Sequence, residues 1–309
     1  MVAWTVVPHA ANWRVGLVAL VVAMSGMARA EVPDFALHAR HMVLIDEATG
    51  AVLMSKGAQE SVPMASLTKL LTAMVVLDAG QDLHELLTID TGDLDTLKHT
   101  VSGLPVGATL RRDKLLELAL LASDNHAASS LARHYPGGMA AFLAAVRLKA
   151  SGLGLASTHV LEPTGLSPDN RSSASDMAIV VRTAADYPAI AAATTQTRGD
   201  AVVKGKPYHA LNTNRLVGSP GWDILLSKTG FTNEAGRCIA MRLRTAGKTV
   251  FLVLLNASEG AGRTLDAVNV TRWLAGLTPV MARPLAALEP RSKRTLRGAP
   301  RGLRQTKLA

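Results

Sequence analysis

"PMASLTKLLTAMVVLDAG", residues 63–80, is where strand-like sequence gives way to helix-like sequence. Leu67, Leu70, Leu71, Met74 and Val75 recur at i, i+3, i+4, i+7 and i+8, which predicts a helix with a core-facing stripe. Ser66 and Lys69 fall on another face, one turn apart, so their side chains can meet. An ammonium at the mouth of an apolar helix is unfavourable in a low-dielectric setting unless something uses it.

On the N-terminal side, "ARHMVLIDEATGAVLMSKG" (39–57) gives two apolar runs around a turn signal and predicts a hairpin. On the C-terminal side, helical patterns continue through "RRDKLLELALLAS", "NHAASSLARHY", "GGMAAFLAAVRLKASGLG" and "SASDMAIVVRTAADY". Three strand candidates follow, "GWDILLSKTG", "CIAMRLRT" and "KTVFLVLLNAS", and then a last helix in "TLDAVNVTRWLAGL". "TVFLVLL" is continuously apolar, as a strand buried on both faces must be. Both strand groups need partners, so the order predicts an α/β chain of the α+β kind. Its mostly antiparallel sheet would be built from both chain ends (31–60 and 200–280), with an inserted helical lobe (61–199) and a cleft between them.

With 48% hydrophobic residues in 309, the chain can bury a substantial core. Residues 1–30 read as an export signal: Arg14, the short run "VGLVALVVAM" and the small-residue site "ARA" put the mature start near Glu31, in the periplasm. A retained anchor is the alternative, although the run is too short to span a bilayer. Cys238 is the single cysteine, so no internal disulfide forms, and "CIAMRLR" makes it a packed strand residue rather than a catalytic thiol. The net charge of +9 divides into +2 from Arg14 and Arg29, +7 in residues 281–309, and a neutral remainder. That distribution argues against nucleic acid as a partner of the globular part. The tail, with Pro284, Pro290 and Pro300, reads as disordered, solubilising or weakly attracted to anionic lipid or wall polymers.

Alone, the Ser66–Lys69 spacing is equally a helix cap beside a surface lysine. Ser123-Asp124-Asn125 adds a hydroxyl able to relay a proton and an amide able to hold a carbonyl, although a capping turn has the same composition. Lys228-Thr229-Gly230, followed by Phe231, adds a second cation, a hydroxyl for a carboxylate and a glycine that lets a substrate backbone lie close. S-x-x-K, S-x-N and K-T-G in this order form one catalytic set.

With these motifs the chain resembles the penicillin-interacting serine D-alanyl-D-alanine peptidases, peptidase S11. The likeness runs over about 38–277 through "VPMASLTKLLTAMVVLDA", "DLDTLKHT", "RHYPGGMAAFLAAV", "LEPTGLS", "LNTNRLV" and "LSKTGFTNEAGRC". It is most similar to the short periplasmic endopeptidase branch, the penicillin-binding protein 7 type. The resemblance implies a β-lactamase/transpeptidase-like fold, peptidoglycan stem peptides as substrates, β-lactams as acylating inhibitors, and no cofactor. It implies Ser66 as the acylated nucleophile, Lys69 as its base, Ser123 as a proton carrier, Asn125 as a substrate-amide ligand, and Lys228 as a charge that keeps Lys69 poised. The N–H groups of Ser66 and Phe231 would form an oxyanion hole, and Thr229 and Arg263 would bind the carboxylate beside the scissile bond.

Ser123-Asp124-Asn125 is the lactamase-like form of the second motif, so a class A-like β-lactamase is an alternative. Its deacylating E-x-x-L-N is missing; Glu162 instead reads "EPTGL". A carboxypeptidase is a second alternative, but those relatives carry a β-rich second domain and an amphipathic anchor, and here the fold is expected to end near Leu277. A non-catalytic wall-binding module would keep the fold without turnover. A metal hydrolase is not indicated, because His38 and His41 in "HARH" form no H-E-x-x-H pattern and read as surface or turn residues.

Overall fold

A computed structural model describes residues 35–258 and 261–280; the expected leader (1–30) and basic tail (281–309) lie outside the described residues. In chain order come β1 (Ala39–Asp46), β2 (Val52–Lys56), β3 (Val62–Pro63), a 3₁₀ turn (Ala65–Leu67) and α1 (Thr68–Asp78). They are followed by β4 (Leu86–Thr88), β5 (Thr109–Arg111), α2 (Arg112–Leu121), α3 (Asn125–Arg133), α4 (Gly138–Gly152), β6 (Arg171–Ser172) and α5 (Ala174–Ala184). The remainder is α6 (Pro188–Thr195), β7 (Arg198–Val203), β8 (Lys206–Leu211), β9 (Asp223–Thr232), β10 (Gly236–Thr245), β11 (Lys248–Ala257) and α7 (Gly262–Leu274). Among the described residues no helix is long and apolar enough to cross a membrane.

The two chain ends meet in one five-stranded sheet of order β2-β1-β11-β10-β9, and every adjacent pair is antiparallel. β1 closes on β11 with Val43 opposite Val253, so the hairpin from the start of the fold is completed by its last strand. Alternation then separates two cores. Val43, Phe251, Val253 and Leu255 face the helices, whereas Met42, Leu44, Leu252 and Leu254 pack with Ala267 and Val270 of α7. β11 is thus apolar on both faces, as its sequence predicts.

Three features depart from the sequence reading. The helix at 63–80 carries no single stripe: Thr68 through Val76 are all buried, so α1 is the central post of the helical lobe rather than an amphipathic surface helix. The segment 188–211 holds α6 and the β7–β8 hairpin, which the apolar pattern does not announce. Pro188 starts α6, and Lys204-Gly205, both at positive φ, turn the hairpin. β7 and β8 pair only with each other and lie against α2, beside the helical lobe rather than in the main sheet. His38 and His41 are not simply surface residues. His41 is buried with its Nδ1 3.1 Å from Gly57 O, and His38 Nδ1 lies 2.9 Å from Oδ1 of the buried Asp266, which also accepts from the N–H groups of His38 and Ala39.

Candidate active site

The three motifs converge where α1, the start of α3 and β9 meet. Ser66 sits in the 3₁₀ turn two residues ahead of α1, and Ala65 before it holds φ +47°, a left-handed backbone that a non-glycine residue keeps only under external constraint. Two contacts supply that constraint. A Cβ on Gly165 (φ +86°) would fall 1.9 Å from Ala65 O, and one on Gly230 would fall 3.1 Å from Ser66 N. Glycine at 230 therefore lets β9 press against the Ser66 turn of the same chain. It also brings the Gly230–Phe231 backbone of this edge strand beside Ser66 N.

Lys69 is 1% exposed and makes three hydrogen bonds, to Ser66 Oγ (3.1 Å), Asn125 Oδ1 (2.7 Å) and Thr164 O (2.7 Å). Three donors meet three acceptors. Burial pushes its ammonium down to about 8, against the opposing pull of Glu162, Asp124 and Asp95. A lysine in that range exchanges its proton near neutrality, as a general base must.

The Thr164 carbonyl is delivered by a loop that one carboxylate organises. Glu162 Oε2 accepts from Thr164 N (2.7 Å) and Oγ1 (2.5 Å), and Oε1 from Gly165 N (2.7 Å), Ser167 N (3.2 Å) and Asn170 Nδ2 (3.0 Å). Both oxygens are committed to the loop. Glu162 is thus a structural clamp, in agreement with the missing E-x-x-L-N pattern.

Ser123 has φ +61° and is half-buried, and its hydroxyl has no hydrogen bond to a described residue. The strained turn leads into α3, where Asp124 caps Ala127 N (2.9 Å) through Oδ1 and accepts from Ser102 Oγ (2.6 Å) through Oδ2. The acidic middle residue of the second motif therefore has a local cause: it ties the 94–107 loop to α3. Asn125 completes that seam, with Nδ2 donating to Thr100 Oγ1 (2.7 Å) while Oδ1 faces Lys69.

On β9, Lys228 is 1% exposed and its Nζ donates to Thr229 O (2.9 Å); it has no hydrogen bond to Ser66 or Lys69. Burial and then the charge of Lys69 hold its ammonium well below the usual lysine range, Arg263 adding to the effect. Of the two lysines it is therefore Lys228 that is the more readily neutral. Thr229 Oγ1 donates to Thr213 Oγ1 (2.6 Å), and Arg263 Nη1 holds the carbonyls of Gly230 (3.1 Å) and Cys238 (3.0 Å). Phe231 is 53% exposed, with the Arg237 guanidinium 4.8 Å above its ring centre. The sequence motifs did not single out Thr164, Thr213 or Thr100. They lie in "LEPTGLS", "LNTNRLV" and "DLDTLKHT" respectively, and Thr100 touches the site only through Asn125. Cys238 is fully buried in β10, where burial raises its thiol to about 11. Among the described residues no cluster of ligating side chains suited to a metal occurs.

Comparison with known proteins agrees with this geometry. The profile of the Peptidase_S11 family, described as D-alanyl-D-alanine carboxypeptidase, matches residues 27–259. A D-alanyl-D-alanine endopeptidase of Pseudomonas aeruginosa is 41% identical over 85% of this chain and 84% of its own length. One from Escherichia coli is 39% identical over 84% of each. The DD-transpeptidase of Streptomyces K15 superposes with a TM-score of 0.73 at 25% identity, covering 79% of this chain and all of that one. The chain therefore belongs to the peptidase S11 family, the serine-type D-alanyl-D-alanine peptidases.

Proposed function

We propose that the protein is a periplasmic D-alanyl-D-alanine endopeptidase that cleaves the D-alanyl to meso-diaminopimelate cross-link of peptidoglycan, and that β-lactams acylate it at Ser66. The observation that carries the reading is the set of three acceptors around Lys69. When Lys69 is neutral it has two N–H bonds and one lone pair. Asn125 Oδ1 and Thr164 O hold the two hydrogens, so the lone pair is left to face Ser66 Oγ.

Ser66 Oγ attacks the D-alanyl carbonyl carbon as its proton passes to Lys69 Nζ. The resulting oxyanion lies against the N–H groups of Ser66 and Phe231, donors whose loss typically costs about 3 kcal/mol in the barrier. Collapse breaks the C–N bond, and the departing amine takes the proton from Lys69, with Ser123 as carrier. A water molecule then attacks the Ser66 ester as one of its protons passes to neutral Lys69; the acyl–oxygen bond breaks, Lys69 returns that proton to Ser66 Oγ, and the second water proton leaves from the released D-alanyl carboxyl group to solvent. β9 offers its free edge to an extended stem peptide, and Thr229 and Arg263 face the carboxylate beside the scissile bond.

The endopeptidase reading over a carboxypeptidase rests on the two relatives bearing that name at 41% and 39% identity. The commitment of both Glu162 oxygens to the loop disfavours a lactamase, which needs a carboxylate free to activate water. Incubation of the full chain, with Ser66→Ala as control, with cross-linked muropeptide dimers and uncross-linked pentapeptides tests the reading by mass spectrometry. Conversion of dimers to monomers is expected. Loss of only the terminal D-alanine from pentapeptides would make it a carboxypeptidase, and hydrolysis of penicillin with no peptide turnover would make it a lactamase.

A further inference from the structure

The 94–107 loop carries no catalytic motif, yet it reaches the site through a directed chain of hydrogen bonds. Asp95 Oδ1 accepts from the N–H groups of Leu97 (2.8 Å) and Lys98 (2.9 Å), and its Oδ2 accepts from Thr100 N (2.8 Å) and Thr100 Oγ1 (2.7 Å). Thr100 Oγ1 in turn lies 2.7 Å from Asn125 Nδ2, and Asn125 Oδ1 lies 2.7 Å from Lys69 Nζ. Proton counting gives the chain a direction. A carboxylate only accepts, so the one hydroxyl proton of Thr100 goes to Asp95 and its lone pairs are left for Asn125. A carboxamide is a donor at one end and an acceptor at the other, and once Nδ2 is claimed by Thr100, Oδ1 must face Lys69.

We infer that Thr100, with its hydroxyl proton held by Asp95, is a positioning residue that fixes the Asn125 amide with Oδ1 toward Lys69 and so aims the Lys69 lone pair at Ser66. The inference rests on the reading of Ser66 as nucleophile and Lys69 as base. Were the amide turned over, an Nδ2 hydrogen would claim the lone pair of neutral Lys69, and an N–H would face the Ser66 hydroxyl instead. The turned amide would also oppose the ammonium, because donor would meet donor. The charged groups acting on Lys69 come from three elements: Asp95 from this loop, Asp124 from the start of α3 and Glu162 from the 161–170 loop; Lys228 of β9 also faces it, and there it is the Lys69 charge that disfavours the Lys228 ammonium. Asp124 and Glu162 make no hydrogen bond to Thr100, and Asp95 keeps its three backbone donors, Leu97 N, Lys98 N and Thr100 N, when the Thr100 side chain is changed, so a shift in the titration of Lys69 larger than that of Asp95→Asn reports the amide.

The test is the rate of acylation of the full chain by a fluorescent penicillin between about pH 6 and about pH 10, for wild type, Thr100→Val, Thr100→Ala and Thr100→Ser. Thermal unfolding of each variant is followed in parallel. Thr100 is exposed, so the folded state tolerates all three. Thr100→Val and Thr100→Ala are expected to acylate about 10-fold more slowly, with the acid limb of the pH profile moved to lower pH. Thr100→Ser, which keeps the hydroxyl, is expected within about threefold of wild type with the limb in place. Wild-type rates in the valine and alanine variants would overturn the inference. So would slow acylation with an unmoved limb, or a serine variant as slow as valine. Wild type that takes no label at Ser66 would overturn the Ser66–Lys69 reading as well, whereas labelled wild type with unaffected variants would remove the positioning role alone.

Discussion

Two loops converge on Lys69, and each is organised by one carboxylate, but they do so in opposite ways. The 161–170 loop wraps Glu162 and delivers a backbone carbonyl, that of the buried Thr164, directly to the lysine. The 94–107 loop wraps Asp95 and delivers a side-chain hydroxyl, that of the exposed Thr100, which acts only through Asn125. A main-chain acceptor is fixed by the fold and cannot be changed by a point substitution. A side-chain acceptor can be, and it ties the same lysine to a surface loop. The base is therefore held firmly on one side and adjustably on the other.

The largest expected effect comes from removing what both loops share. Lys69→Ala should slow penicillin acylation by at least about 10³-fold while the far-ultraviolet circular dichroism is unchanged; acylation at near wild-type rate would end the base assignment. The same variant carries a pH test. The Lys69 ammonium lies at about 8 when folded and at 10.5 in its ordinary state, so the folded chain bears the full burial penalty below about 8 and sheds it first as pH rises. Wild-type stability relative to Lys69→Ala should thus increase between about pH 8 and about pH 10.5, by an amount of order 3 kcal/mol, in urea titrations.

Gly165→Ala should come next, because its Cβ would lie 1.9 Å from Ala65 O at a backbone angle that alanine disfavours. A loss of roughly 3 kcal/mol is expected from urea unfolding, with penicillin labelling falling in step as the Ser66 turn is displaced. Glu162→Gln strikes the firm loop through its clamp. It sets an amide N–H against loop N–H donors and should cost about 2 kcal/mol. It also removes the charge that most favours the Lys69 ammonium, so the acid limb of acylation should move to lower pH. Asp95→Asn should shift that limb in the same direction but less, since Asp95 acts on Lys69 more weakly than Glu162 or Asp124 does. Its stability loss of about 1 kcal/mol or less would confirm that the outer loop is the softer of the two. An equal or larger loss than Glu162→Gln would erase the contrast.

Much of this was legible beforehand. The five strands of the main sheet, their closure from both chain ends and six of the seven helices, all but α6, follow from apolar runs and turn residues. The motifs bring Ser66, Lys69 and Asn125 together because a helical turn and a helix start are local geometries. What the sequence withheld was non-local. The amphipathic reading of α1 failed because later segments bury its polar side through Thr72, Lys69 and Thr68, whose partners are Pro163, Thr164 and Asn170. Thr100 and Thr164 could not be ranked among the chain's threonines, since what sets them apart is where two loops return. The glycine of the third motif was read for a substrate, and the fold uses it first against the Ser66 turn.

The buried Cys238 has a practical consequence. Its sulfur lies in the strand between β9 and β11, fully covered and with the thiolate strongly disfavoured, so thiol reagents and oxidants reach it only when the sheet opens. As the chain's single cysteine it is a built-in clock: under native conditions its alkylation rate measures how often the central strands separate, free of interference from any second thiol.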